Sequence, residues 1–251
     1  MKQFILTPAA AKRLIGKGIA RHPAIEKVLR DGTLVIVAGT TNGYVAEEIL
    51  AATGQSADFT RVGFTRGAVV PPGFDASRRA KGKLAGDLIF VQGAAVTGKT
   101  IFDVVADLKR GDVVLKGANA LDLQRRQAAI LVGDPQLGTA GAAVPAVPGR
   151  RVRMIVPVGL EKRVPGPLAD LAEAVNGPSA EGAGMFVLPG EVFTELDAIA
   201  TLTGAAATPI AAGGAYGAEG CVWIAVTGDA EQLAAAQGLI ESVECEPPCR
   251  A

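Results

Sequence analysis

The sequence predicts an α/β protein, and three observations point to that class. Short runs rich in Val, Ile and Leu recur along the chain, and each ends in a glycine-rich turn. Between several of them lie segments whose apolar residues fall at helical spacing. The chain also holds 32 glycines and only 4% aromatic residues, so its turns are many and its core must be built from Ala, Val, Leu and Ile.

The elements follow in order. Thr7 caps a first helix over 9–19, with Pro8 in its first turn. His22-Pro23 breaks it, and a second helix over 24–29 leads to Asp31-Gly32. His22 reads as a polar residue before a proline, not as a catalytic group. Thr33 to Val37 is a buried strand, Ala38-Gly39-Thr40-Thr41-Asn42-Gly43 a tight turn, and Tyr44 to Leu50 a helix with its apolar face at 45, 46, 49 and 50. A polar, glycine-rich passage over 54–83 is long for a connection, so part of it is expected to lie over the active face. Its Arg61, Arg66, Arg78 and Arg79 are candidate anion contacts or solvated loop residues. Further strands are expected at 87–92, 112–116, 128–132 and 151–157, with a helix over 100–108 closed by Lys109-Arg-Gly111.

A short helix over 168–175 precedes a change of rhythm. Beyond it strands at 185–188, 207–212, 221–226 and 242–245 alternate with helices at 191–202 and from Asp229 to Ile240. That is the ferredoxin-like order. The expected architecture is therefore a Rossmann-like open parallel sheet over 1–180 and a smaller α+β ferredoxin-like domain over 181–251.

Composition narrows the partners. With 251 residues the chain can bury a large core. Lysine and arginine balance aspartate and glutamate at 25 each, and no basic run or aromatic-basic face stands out, which argues against nucleic acid. Mean hydropathy is +0.31, yet no apolar stretch reaches the length of a membrane span, and no signal peptide opens the chain. Three cysteines are too few for a disulfide scaffold, so a reducing, cytoplasmic setting is expected. Cys221 reads as a small hydrophobe, and Cys245 and Cys249 as a loose tail lacking the second pair or histidine that zinc would need. High apolar content with few aromatics favours a homo-oligomer.

The chemistry is expected where the strands end. In an open parallel sheet ligands bind beyond the carboxyl ends of the strands. Four polar turns, at 38–43, 116–122, 133–141 and 158–163, would converge on one cleft. Gly39, Thr40, Thr41 and Asn42 form an anion cradle, because glycine admits a close ligand and a helix start offers free N–H groups and a positive dipole end. Lys116 ends a buried strand, where its charge either finds a partner in an anionic substrate, Asp122 or Asp134, or reaches solvent at the strand end. Gly117, Asn119, Asp122, Gly138 and Thr139 complete the candidate ligand set. Glu161, beside Lys162, is the candidate acid or base, or else part of a solvated loop, which adjacent charged residues more often form. Gly93-Ala-Ala-Val-Thr-Gly-Lys-Thr100 matches the P-loop pattern GxxxxGK[ST], in which Lys99 and Thr100 would serve phosphate and Mg²⁺. The same letters also fit a hairpin turning at Gly93-Ala94, followed by a helix.

Val37-Ala-Gly-Thr-Thr-Asn-Gly43 resembles the first phosphate loop of the superfamily that joins ribose-5-phosphate isomerase, glucosamine-6-phosphate deaminase, DeoR-type sugar-phosphate sensors and CoA transferases. Asp112-Val-Val-Leu-Lys-Gly-Ala-Asn-Ala-Leu-Asp122 is similar to the isomerase strand that ends in a DGADE-type turn. Leu137-Gly-Thr-Ala-Gly141 is similar to the glycine-rich turn of several members. The resemblance covers about residues 30–165. Lys116 and Asn119 stand where the isomerase has catalytic acids, and only Gly117, Ala118 and Asp122 match that turn. The resemblance thus implies a fold and an anionic ligand and leaves the reaction open. The expected function is binding of a phosphorylated, carboxylated or CoA-linked metabolite, as an isomerase or transferase. The alternatives are a non-enzymatic metabolite sensor and a P-loop nucleotide-binding protein. No cofactor and no metal site is assigned.

Overall fold

The computed structural model describes residues 1–56, 59–67, 69–75, 77 and 86–248. Arg78, Arg79 and Cys249 lie outside the described residues. From the N-terminus the chain runs through β1 (Lys2–Leu6), α1 (Pro8–Ala20), α2 (Pro23–Asp31), β2 (Thr33–Ile36), α3 (Thr40–Ala52), β3 (Leu88–Val91), β4 (Ala94–Val96), α4 (Ile101–Val104) and β5 (Val113–Leu115). Then come β6 (Ala120–Asp122), β7 (Gln127–Val132), α5 (Gly138–Ala143), α6 (Ala146–Arg150), β8 (Arg153–Pro157) and α7 (Leu168–Val175). The chain ends with β9 (Gly184–Val187), β10 (Glu191–Phe193), α8 (Glu195–Thr203), β11 (Ala206–Ala212), β12 (Val222–Thr227) and α9 (Ala230–Glu241).

Local chemistry sets several boundaries. Thr7 accepts from the Ala10 N–H with Pro8 opening α1, and His22 accepts from the Ala24 N–H with Pro23 opening α2. His22 is therefore a helix cap, and its outer nitrogen lies 3.2 Å from Glu191. Thr194 and Asp197 form a capping box on α8, which places the helix cap three residues after Glu191.

The largest sheet has the order β10-β8-β5-β2-β3-β4. β10, β8, β5 and β2 are parallel, while β3 and β4 run antiparallel to their neighbours. Leu34, Val35, Ile36, Val114, Leu115, Ile155 and Val156 are fully buried, as expected of parallel strands covered on both faces. Helix α1 packs between α3 and α8. Its glycines permit the approach: a Cβ on Gly16 would stand 3.0 Å from the Tyr44 backbone, and one on Gly18 only 2.7 Å from the Ala198 methyl.

Three expectations are corrected by strand pairing. The strand at 128–132 is not part of the parallel sheet. It is β7, in a separate antiparallel sheet of order β6-β7-β9. Asp122 accepts from the Arg125 N–H and Arg126 adopts φ 53°, so the chain doubles back between β6 and β7, and a hairpin can only pair antiparallel. The strand expected to open the tail is β9, which joins that same sheet. The ferredoxin-like sheet expected over 181–251 does not form as one unit. Instead β12 lies between β11 and β1, and β1 comes from the N-terminus. Residues 242–245 form turns after α9 rather than an edge strand, and Glu246 there accepts from Arg13 and Arg61.

The P-loop pattern is also resolved by pairing. Val91 pairs with Ala94, and Gln92 and Gly93 take φ 49° and 80°, a two-residue turn of the kind that joins hairpin strands. Residues 94–96 are thus an edge strand, and Thr100 caps α4 with Asp103. The hairpin reading holds, with its turn one residue earlier than expected.

Candidate functional site

β2 and β5 end side by side, with Ile36 opposite Leu115. Their ends are tied by Asn42, whose side-chain N–H₂ donates to Val37 O at 2.7 Å and to Leu115 O at 3.1 Å. Asn42 is fully buried and absent from the cleft wall. It is therefore a strand clamp rather than the expected ligand contact.

A cleft of about 820 Å³ opens at this edge, a volume typical of metabolite sites. Two of the four expected turns line it along continuous stretches, the third in two pieces and the fourth through one residue. Ala38, Gly39, Thr40 and Thr41 come from the first turn, and Lys116, Gly117, Ala118 and Asn119 from the second. The third contributes Gly133, Asp134, Gly138 and Thr139, and the fourth Lys162. Ile130, Leu131, Val132, Leu137 and Phe102 supply an apolar wall, and Arg66 lies at the same mouth.

The first turn presents the start of a 13-residue helix. No side chain caps α3, and the amides of a first turn have no acceptor within their own helix. Thr41 is 3% exposed, and its hydroxyl has no hydrogen-bond partner. A buried hydroxyl without a partner costs free energy, roughly 1–3 kcal/mol, unless a ligand satisfies it.

Positive charge dominates the lining. Arg66, Lys116 and Lys162 face Asp134, whose Oδ1 already accepts from the Gln136 and Gly138 N–H groups. Lys162 donates to Ala118 O at 2.8 Å, while the Lys116 amine makes no hydrogen bond or ion pair among the described residues. Burial depresses the pKa of Lys116 below the usual lysine value. Asp87 opposes that shift and Lys162 adds to it. Lys162 is lowered in the same way, by burial first, against the pull of Glu161.

Asp87 was not singled out by the sequence. It heads the buried run of β3 and is itself fully buried. Its carboxylate accepts from the Ala38 N–H at 2.9 Å, from Arg66 at 3.1 Å and from the Ile101 N–H at 2.7 Å. It thereby fixes the first turn, Arg66 and α4 around the cleft. An acid placed directly before an apolar run was the signal available.

Two expected site residues stand elsewhere. Asp122 accepts from the Arg125 N–H and side chain and closes the β6–β7 turn, away from the cleft lining. Its carboxyl is held below the usual range by the Arg125 backbone hydrogen bond. Glu161 pairs with Lys12 at 3.3 Å and is absent from the cleft wall. Beside it Glu195 is fully buried and accepts from the Leu160 N–H. Burial, reinforced by Glu161, pushes the pKa of Glu195 up to about 8.

Among the described residues no group of three or more His, Cys, Asp or Glu side chains is placed to hold a metal, and no helix is long and apolar enough to cross a membrane. Comparison with family models, with curated proteins and with solved structures gives no match.

Proposed function

We propose that the chain binds a small anionic metabolite, phosphorylated or carboxylated, with its anionic group at the start of α3. The single observation behind this reading is the Thr41 hydroxyl, buried and unpartnered beside an uncapped helix start. Amides in a first turn and the positive end of the helix dipole favour an anion there. Thr40 and Thr41 donate to it, Arg66 and Lys162 supply the positive field, and Lys116, Asn119 and Thr139 contact the remainder of the ligand. The apolar wall of Phe102, Leu131 and Leu137 suits the carbon body of a metabolite rather than a bare ion. The resemblance of the 37–43 turn to a phosphate loop points the same way.

The reaction class belongs with isomerases or transferases of anionic metabolites. A sensor that binds without turnover is the second reading, favoured by the engagement of Glu161 with Lys12, which leaves no free glutamate at the cleft. A thermal-shift screen with sugar phosphates, CoA esters and small carboxylates tests the binding, because a ligand selective for the folded state raises apparent stability by mass action. The expected result is a saturable shift that Thr41→Val removes. A shift unchanged in Thr41→Val would reject the placement.

A further inference from the structure

Resting on that placement of the anion, we propose that Lys116 captures the metabolite covalently, its amine forming an imine with an aldehyde or ketone carried by the anionic ligand. Four features of the cleft point to it.

Lys116 leaves β5 directly, with its own N–H donating to Ile155 O at 3.1 Å. The root of the side chain is therefore fixed, and the residue lines the cleft. The amine has no hydrogen bond or ion pair among the described residues, and the carboxylate that bears on it, Asp87, is already held by two backbone N–H groups and Arg66. A lysine that serves only as a charge is normally matched, as Lys12 is by Glu161.

A second amine stands close enough to act on the first. Lys162, anchored to Ala118 O, disfavours the ammonium form of Lys116, and so does burial. Only a neutral amine is a nucleophile, and desolvation beside another cation is a known way to keep a lysine neutral. Anion binding has a separate apparatus at the start of α3, so Lys116 is not needed as the main counter-charge. The cleft has room and an apolar wall for the carbon skeleton that would carry the carbonyl.

The step balances. The Lys116 nitrogen adds to the carbonyl carbon, forming a C–N bond while the C=O π electrons move to oxygen. The nitrogen passes a proton to that oxygen, giving a carbinolamine. With one further proton from solvent, the C–O bond breaks and water leaves, and the nitrogen lone pair closes the iminium. Amine, carbonyl compound and one proton give one iminium and one water; no oxidant or reductant is used.

The test is reductive trapping. The protein is incubated with sodium cyanoborohydride and either dihydroxyacetone phosphate, a ketone with a phosphate, or pyruvate, a ketone with a carboxylate. Adducts are mapped by peptide mass spectrometry. The expected result is a reduced adduct at Lys116 with one of the two probes, in preference to the exposed Lys99 and Lys109. Excess inorganic phosphate should suppress it, and Lys116→Arg, which keeps the charge, should abolish it. Lys116→Met is the second variant should the arginine disturb the fold. Thermal stabilisation of the same samples by inorganic phosphate is read in parallel. Stabilisation without any Lys116 adduct would overturn the imine and leave the anion site standing. Neither stabilisation nor adduct would overturn both. Adducts spread evenly over surface lysines, or confined to Lys162, would also overturn the assignment to Lys116.

Discussion

Helix α3 has positive charge gathered at two places, along its flank and in front of its first turn, and the two are built in opposite ways. On the flank, Arg13 and Arg61 lie over the Tyr44 ring, their guanidinium carbons 4.8 and 4.5 Å from its centre. Each is matched by carboxylates: Arg13 by Glu47, Glu48 and Glu246, and Arg61 by Glu47 and Glu246. The pKa of Arg13 is raised by Glu246 and Glu47 in spite of burial, which is the largest influence and opposes them. At the helix start, Lys116 and Lys162 line the cleft with no ion pair among the described residues, and burial lowers both in spite of Asp87 and Glu161. Cations of the first kind hold the fold together. Cations of the second kind cost free energy until something binds, which is the mark of a site rather than a scaffold.

The two regions should therefore separate under mutation. The largest effect on stability belongs to the flank. Arg13→Ala removes one partner from each of Glu47, Glu48 and Glu246, although Arg61 still reaches two of them and Lys17 the third, and should destabilise the fold by about 1–2 kcal/mol in denaturant unfolding, discounted for partial solvation, while leaving phosphate affinity unchanged. A loss of anion binding in Arg13→Ala would erase the distinction. In the cleft the pattern should invert. Thr41→Val should weaken phosphate binding by about tenfold, near 1.4 kcal/mol, with no loss of thermal stability, because a buried hydroxyl without a partner has been removed. A markedly less stable Thr41→Val would make that hydroxyl structural.

An effect seen only against pH follows from Glu195, which is fully buried. Its folded pKa stands near 8 against an ordinary 4.5, so the folded state keeps a proton that the unfolded chain releases. The stability from this proton is fully present below pH 4.5 and is lost as pH rises to about 8. Lys116 and Lys162 act in the opposite sense at higher pH, where the unfolded chain binds more protons than the folded one. Urea unfolding against pH should show the fall across that window, and Glu195→Gln should flatten it. A Glu195→Gln variant with an unchanged profile would assign the fall to other groups.

The difference between the regions also explains what could be read in advance. The strands at 33–37, 112–116 and 151–157 were legible because a parallel strand buried on both faces is a continuous apolar run, and the cradle at 38–43 because glycines and threonines follow one directly. The edge strand β10 was not, since three residues at Glu191–Phe193 look like the first turn of the helix that Thr194 caps. Pairings between distant parts of the chain left no local trace: β1 with β12, or β7 with β9. In the cleft, residue types were visible but states were not. Glu161 and Lys162 are adjacent in sequence, yet one is spent on Lys12 and the other reaches the cleft. Asn42 and Thr41 are likewise adjacent. One clamps two strand ends through backbone carbonyls, while the other keeps its hydroxyl unpartnered. Such assignments depend on which groups the fold brings within hydrogen-bond reach, and one residue of helical rotation decides them.

The most direct measurement is an amide NMR titration of the whole chain with inorganic phosphate. The account predicts that the N–H signals of Thr40, Thr41 and Asn42 shift first and saturate together, and that Thr41→Val weakens the titration. Saturable shifts elsewhere on the surface, with these three amides unmoved, would contradict an anion site at the start of α3.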